Sequence, residues 1–253
     1  MSRKKYFTLS FDDGIEQDKK LIALLKQYGL QCTFNLNGGL FGKKDYVAYI
    51  GEIGFKDIPA DARVHRTFYK TVSHNRIPED EIRQVYEGFE IAAHMYKHEP
   101  MKGASAEQIN ISLDKDRESL SRFTKEPITG FAYPGGFSSK IAAQCLKEKG
   151  FLFGREAFAS GSFNWPSDPF RYRPTCAHNS KNVFKLLDKF ISAEAEEDLL
   201  FMMWGHSYEF DYGTKNSSLE HLEKVFEKIS GRSDIVYCTN SFAFADHAEA
   251  LTK

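Results

Sequence analysis

Cysteine is sparse in this chain. The four present, Cys32, Cys145, Cys176 and Cys238, are scattered over 253 residues with no Cys-x-x-Cys pair. That excludes a disulfide scaffold, and the thiols are expected to be reduced and mostly buried. Net charge is nearly absent as well: 34 Lys and Arg against 35 Asp and Glu leave −1, which argues against non-specific binding to nucleic acid or an anionic membrane. No apolar run approaches the roughly 18 residues of a membrane span. No repeat, low-complexity tract or linker interrupts the sequence, so one domain over residues 1–253 is expected. Met1-Ser2-Arg3-Lys4-Lys5 leads straight into an apolar run, leaving no room for an export signal, and the expectation is a cytoplasmic protein, the alternative being an exported one already trimmed of its signal.

What is present is a steady alternation of short apolar runs and amphipathic segments. After Tyr6-Phe7-Thr8-Leu9, the residues Leu21, Leu24, Leu25 and Tyr28 fall at helical spacing, and Gly29 supplies a stop. Gln31 to Leu36 reads as a second strand. Residues 40–77, rich in Gly, Phe and Tyr, read as an irregular inserted loop region. Pro78 opens a helix through Glu87, and Phe89 to Ala93 is a strand. Ser105 with Gln108 forms a capping-box pattern for a helix to about Phe123. Ile128 to Tyr133 is a strand, Ser138 to Lys149 a helix, and Phe151 begins another strand. Val183 to Phe190 is helical, Leu199 to Trp204 a buried strand, Leu219 to Ile229 a helix and Ile235 to Cys238 a strand, before a helical C-terminus. About seven β-then-α units in series imply a parallel sheet with right-handed crossovers, and the length favours a closed TIM-like barrel over an open sheet.

The chemistry sits where these strands end. Asp12-Asp13-Gly14 follows the first strand, and His94-Met95-Tyr96-Lys97-His98-Glu99-Pro100 follows the strand at residues 89–93. Asp-Asp-Gly alone reads as a turn, and two histidines four apart alone are a weak metal signal. Together, at strand ends that a barrel brings to one face, one carboxylate and two imidazoles make a ligand set for a catalytic zinc with an open position for water. The second carboxylate is then free to act as a base. His206, after Leu200-Phe201-Met202-Met203-Trp204-Gly205, is suited to protonate a leaving nitrogen near neutral pH. Glu209 or Asp211 is placed to hydrogen-bond its other ring nitrogen.

These motifs resemble those of the polysaccharide deacetylases, carbohydrate esterase family 4, also described as the nodulation-type deacetylase domain. Leu9-Ser10-Phe11-Asp12-Asp13-Gly14 resembles the first motif of that family, His94 to Pro100 the second, and Phe131-Ala132-Tyr133-Pro134-Gly135-Gly136 the third. Trp204-Gly205-His206 stands where the histidine-bearing fifth motif belongs. The resemblance, spanning roughly Tyr6 to Tyr237, implies a distorted (β/α) barrel and one divalent metal ion, usually zinc, held by Asp13, His94 and His98. It implies Asp12 as general base, His206 as general acid, and the Gly135 N–H as an oxyanion donor. The implied substrate is an N-acetylated, secondarily O-acetylated, sugar or polysaccharide.

The sequence also departs from the family pattern. The third-motif arginine that contacts the catalytic Asp is replaced by Ala132, and Arg171 or Arg173 is expected to restore the charge. For the fourth motif, Asn164-Trp165-Pro166-Ser167-Asp168-Pro169 is the nearest candidate. Two competing readings are an amidohydrolase of the same fold opening a cyclic amide or ureide, and a non-catalytic carbohydrate-binding protein. The second is disfavoured because Asp12, Asp13, His94, His98 and His206 are all present.

Overall fold

The computed structural model describes residues 3–49, 70–194 and 196–251. In chain order its elements are β1 (Lys5–Asp12), α1 (Asp18–Tyr28), β2 (Thr33–Leu36), β3 (Tyr46–Tyr49), β4 (Lys70–Ser73), α2 (Ile82–Val85), β5 (Glu90–Ala93), α3 (Ala106–Ser121), α4 (Lys140–Glu148), β6 (Cys176–Ala177), α5 (Val183–Ile191), β7 (Leu199–Gly205), α6 (Leu219–Ile229), β8 (Ile235–Tyr237) and α7 (Asn240–Leu251).

β1 is the centre of a parallel sheet. β7 lies along one edge of it from Lys5 to Phe11. The other edge is shared: β8 pairs with Lys5–Phe7 and β2 with Ser10–Asp12. β5 then follows β2, and β6 follows β7. Beyond β5 the ladder thins to single bridges, Ala93 to Phe131, Ala132 to Arg155, and Arg155 to Tyr172. From Tyr172 the chain runs on into β6 and so returns to β7. The sheet is mainly parallel and regular from β5 to β6, and isolated bridges continue it beyond β5 toward Tyr172.

The two-residue period of a strand decides what β1 presents on each face. Phe7, Leu9 and Phe11 join the main core between sheet and helices, with Leu21, Leu25, Phe201 and Phe226. Tyr6 belongs to a second core with Leu200, Met202, Phe153, Tyr172 and, from α7, Phe244. Further along the same face of β1 the interior turns polar. Ser10 Oγ accepts from Asn35 Nδ2 at 2.9 Å and from Arg155 Nε at 3.1 Å, and all three residues are fully buried. Asp12 ends the strand above this layer. The interior is therefore apolar at the N-terminal end of β1 and charged at its C-terminal end, which is where the candidate site lies.

Several expected elements differ. The helix read from Pro78 to Glu87 is a 3-10 turn at Glu79–Glu81 followed by the single turn α2; the chain must swing into β5 within a few residues and does so through Gly88 at φ 85°. The strand read at Ile128–Tyr133 bridges its neighbours only at Phe131 and Ala132. It stops at Pro134, which has no N–H to donate and opens a 3-10 turn. The strand expected from Phe151 reduces to the bridge at Arg155. Within residues 40–77, expected to be irregular, β3 and β4 form an antiparallel pair with Tyr46 opposite Ser73. Residues 50–69 of that segment lie outside the described residues. The β-then-α rhythm holds after β1, β5, β6, β7 and β8, and breaks after β2, where the chain enters this insertion.

Candidate active site

Asp12 and Asp13 leave β1 in opposite senses. Asp12 continues the interior face: its Oδ1 accepts from Asn35 Nδ2 at 2.8 Å and from the Arg155 Nη2, and both carboxylate and guanidinium are buried. Burial alone would raise the Asp12 carboxyl, but Arg155, His94 and His206 outweigh it and hold the group below the usual carboxylate range. Asp13 turns out of the strand at φ 85°, its N–H bonded to Asn35 O at 2.9 Å. Its Oδ2 lies 3.0 Å from His74 Nε2, and Arg76 Nη1 donates to its carbonyl while standing 2.9 Å from Oδ1. Burial opposes ionisation here too; the His74 hydrogen bond and the Arg76 charge hold Asp13 well below its ordinary value.

The two histidines meet through a turn and not a helix. His98 N–H reaches back to Met95 O at 3.3 Å, and the rings lie 4.9 Å apart at 75°. Among the described residues, the non-glycine residues with positive φ are Asp13, Met95 and His98. This conformation costs an L-residue roughly 1 kcal/mol or more, so the strain is concentrated at the site. Two buried side chains hold it in place. Asn37 Nδ2 donates to His94 O and Met95 O at 2.5 and 2.8 Å. Asp116 on α3 accepts from the His94 N–H at 3.0 Å and the Gly38 N–H at 2.6 Å.

The donor atoms fit a divalent metal. His94 Nδ1 lies 2.8 Å from Ala132 O, which makes it the protonated nitrogen and leaves Nε2 with a free lone pair. That Nε2 and Asp13 Oδ1 are both buried without a hydrogen-bond partner. They stand 3.9 Å apart, with His98 Nε2 3.7 Å from the same oxygen, and one ligand atom from each residue lies within 4.8 Å of the others. One oxygen and two imidazole nitrogens are a zinc-type set. Burial, foremost, lowers the His94 pKa to about 4 and lowers that of His98, so both rings are neutral and able to ligate. The His74 bond to Asp13 Oδ2 aims Oδ1 at the cluster; the Arg76 charge opposes a cation there.

His206 follows β7, with Nε2 3.9 Å from Asp12 Oδ2 and 4.0 Å from Asp13 Oδ2. Its Nδ1 faces Glu209 Oε1 at 3.4 Å, and its ring stacks on Tyr208. Burial would lower the pKa, but the Glu209 hydrogen bond and the two aspartates raise it to about 9. Of the two carboxylates expected to orient this ring, Glu209 does so; Asp211 accepts instead from Gln17 Nε2. Glu209 is itself held by Asn179 Nδ2 at 2.8 Å, and His178 Nε2 lies 3.6 Å away. His178 is fully buried behind His206. Its ring explains Gly205: a Cβ there would stand 2.1 Å from His178 Nδ1. Gly205→Ala is therefore expected to destabilise the fold by about 1–3 kcal/mol through overpacking, read as a lowered thermal midpoint. An unchanged midpoint would mean that the His178 ring moves freely.

Asp13, His98, His206, Gly135 and Tyr208 line one cleft of about 510 Å³. Gly135 sits on the rim at φ 66° in the turn after Pro134. A larger cavity of about 720 Å³ opens near the N-terminal end of β5, between Phe123 and Phe242, but no histidine or aspartate lines it.

Other expectations are corrected. Arg171 and Arg173 are exposed and bond Ser138 Oγ and Ala159 O, so neither replaces the arginine missing at Ala132. Arg155 does, and Ala132 and Arg155 are bridge partners: the charge comes from one strand over. Trp165, in the candidate fourth motif, stacks on His247 and meets Tyr6 edge-on, at the opposite end of β1 from Asp12, about 20 Å away at strand rise. No short motif in the sequence marks His74, Arg76 or Arg155.

The family model for polysaccharide deacetylases matches residues 1–154. No curated protein sequence matches the chain. Among solved structures, a candidate polysaccharide deacetylase from Mycobacterium smegmatis superposes with a TM-score of 0.63 at 13% identity, covering 99% of this chain and 92% of that one. The allantoinase PuuE gives 0.62 at 13% identity, covering 98% and 90%. A family 4 acetyl xylan esterase from Clostridium thermocellum, in complex with a cobalt ion, gives 0.53 at 13% identity, covering 96% and 91%. At these identities the structures share the fold.

Proposed function

Because this chain belongs to the polysaccharide deacetylase family, we propose that it is a metal-dependent hydrolase that removes acetyl groups from an N-acetylated sugar, with O-acetyl esters as secondary substrates. The observation that carries this reading is the cluster of Asp13, His94 and His98 donors, two of them buried and accepting no hydrogen bond, flanked by Asp12 and His206. A divalent metal bound there, zinc by its donor set, supplies Lewis-acid polarisation of the acyl carbonyl and of water.

The chain's own residues do the rest. Asp12, kept ionised by Arg155, takes a proton from the attacking water. The N–H of Gly135 on the rim donates to the carbonyl oxygen as negative charge develops, a kind of contact worth about 3 kcal/mol when preorganised. His206, protonated beside Glu209, gives its proton to the leaving nitrogen. Water and amide become acetate and amine.

The test is metal analysis of the purified protein, with acetate release from acetamido sugars measured before and after chelation. Release that stops on chelation and returns with zinc supports the reading. Opening of a cyclic ureide without acetate release would overturn it. His206→Ala separates the acid from the rest of the machinery. An acetamide should lose much more rate than an aryl acetate, whose phenolate leaves without a proton. Equal losses on the two substrates would remove His206 from the acid role.

A further inference from the structure

Two cations border the donor cluster and have no part in the hydrolysis itself. The Arg76 side chain is 7% exposed, yet lines the cleft. Only its Nη1 is used, by Asp13; among the described residues Nε and Nη2 have no partner. Lys97 stands in the turn between the two histidines and lines the same cleft. Its backbone N–H bonds Glu99, but its ammonium meets no carboxylate among the described residues. The third cation of the cleft, Lys43, is already paired with Asp45 at 2.8 Å.

A neutral acetamido sugar would bring no charge to these donors. An oxyanion would satisfy both, the planar fork of arginine and the point charge of lysine being common partners of carboxylate and phosphate. The seat adjoins the reaction centre, because Arg76 Nη1 is closer to Asp13 Oδ1, at 2.9 Å, than His98 Nε2 is, at 3.7 Å. An anion held there belongs to the sugar unit being deacetylated, not to a distant one. We propose that the substrate carries a compact oxyanion, carboxylate or phosphate, on the ring carbon next to the acetamide, held by Arg76 and Lys97. This inference rests on the deacetylase reading.

The experiment uses the zinc-loaded protein and three probes: methyl N-acetylglucosaminide, N-acetylglucosamine 1-phosphate and 3-O-carboxymethyl N-acetylglucosamine. Dissociation constants come from calorimetry, which needs no turnover, and kcat/KM from acetate release. At least one acidic probe is expected to exceed the neutral one about tenfold in both measurements, and the phosphate and carboxylate arms identify which oxyanion is read. Lys97→Met should reduce that preference about tenfold, and added salt should shrink it. Equal binding and turnover of all three probes, or a preference that survives Lys97→Met, overturns the anion seat and leaves the deacetylase reading standing. Preferential binding of an acidic probe without acetate release supports the seat and overturns the deacetylase reading.

Discussion

Asp12→Asn is expected to keep its bound metal and to lose about 10²–10⁴-fold in turnover, the usual contribution of a general base. The substitution is sterically mild. An asparagine can turn its carbonyl oxygen toward Asn35 Nδ2 and Arg155, the two donors that Asp12 Oδ1 now satisfies. Its amide then faces His206, where it cannot take a proton from water. The metal donors Asp13, His94 and His98 are untouched. Metal stoichiometry and kcat on an acetamido sugar, measured on the same preparation, check both halves. Loss of the metal would mean that Asp12 is a ligand and that the two aspartates have exchanged roles.

Arg155→Met is expected to cost about 3–5 kcal/mol of stability, because it strips the partner from a buried carboxylate. For a chain of this size that corresponds to a fall in thermal midpoint on the order of 10 °C. Activity should fall with it, since Asp12 loses the strongest influence opposing burial and its ionisation becomes less favourable. The bridge between Ala132 and Arg155 offers a rescue: partners in a parallel ladder share a face, and Ala132 is the position where the family pattern carries its arginine. The double variant Ala132→Arg, Arg155→Ala is therefore expected to recover part of both losses relative to Arg155→Ala alone. An Arg155→Met protein with unchanged midpoint and rate would show that Asn35 and the backbone suffice to hold Asp12 ionised.

Residues close together in the chain carried the readable part of the site. Asp12 and Asp13 adjoin at the end of an apolar run, and His94 and His98 are four apart after another. Once strand ends are placed on one barrel face, those pairs must meet. Helices with a regular apolar stripe were legible for the same reason: α6 spans Leu219–Ile229, as its spacing predicts, and the capping box at Ser105 and Gln108 is formed. Local periodicity and local capping need no knowledge of the partner.

Tertiary structure alone decided what lies across from each of these residues. Arg155 reaches Asp12 over a separation of 143 residues, and His74 reaches Asp13 over 61. Nothing in the neighbourhood of Arg155 distinguishes it from Arg171 or Arg173, the two residues the sequence points to and the fold leaves exposed. The thin side of the sheet was illegible in the same way. Gly130-Phe131-Ala132 and Gly154-Arg155 have little strand character of their own, and they pair because β5 and the segment at Tyr172 present an edge to them. An isolated bridge, like a buried ion pair, is set by which surfaces the fold brings together. The alternation of apolar runs determined that a parallel sheet would carry Asp12 at a strand end; the bridges beyond that sheet determined that Arg155 would be the residue holding its charge.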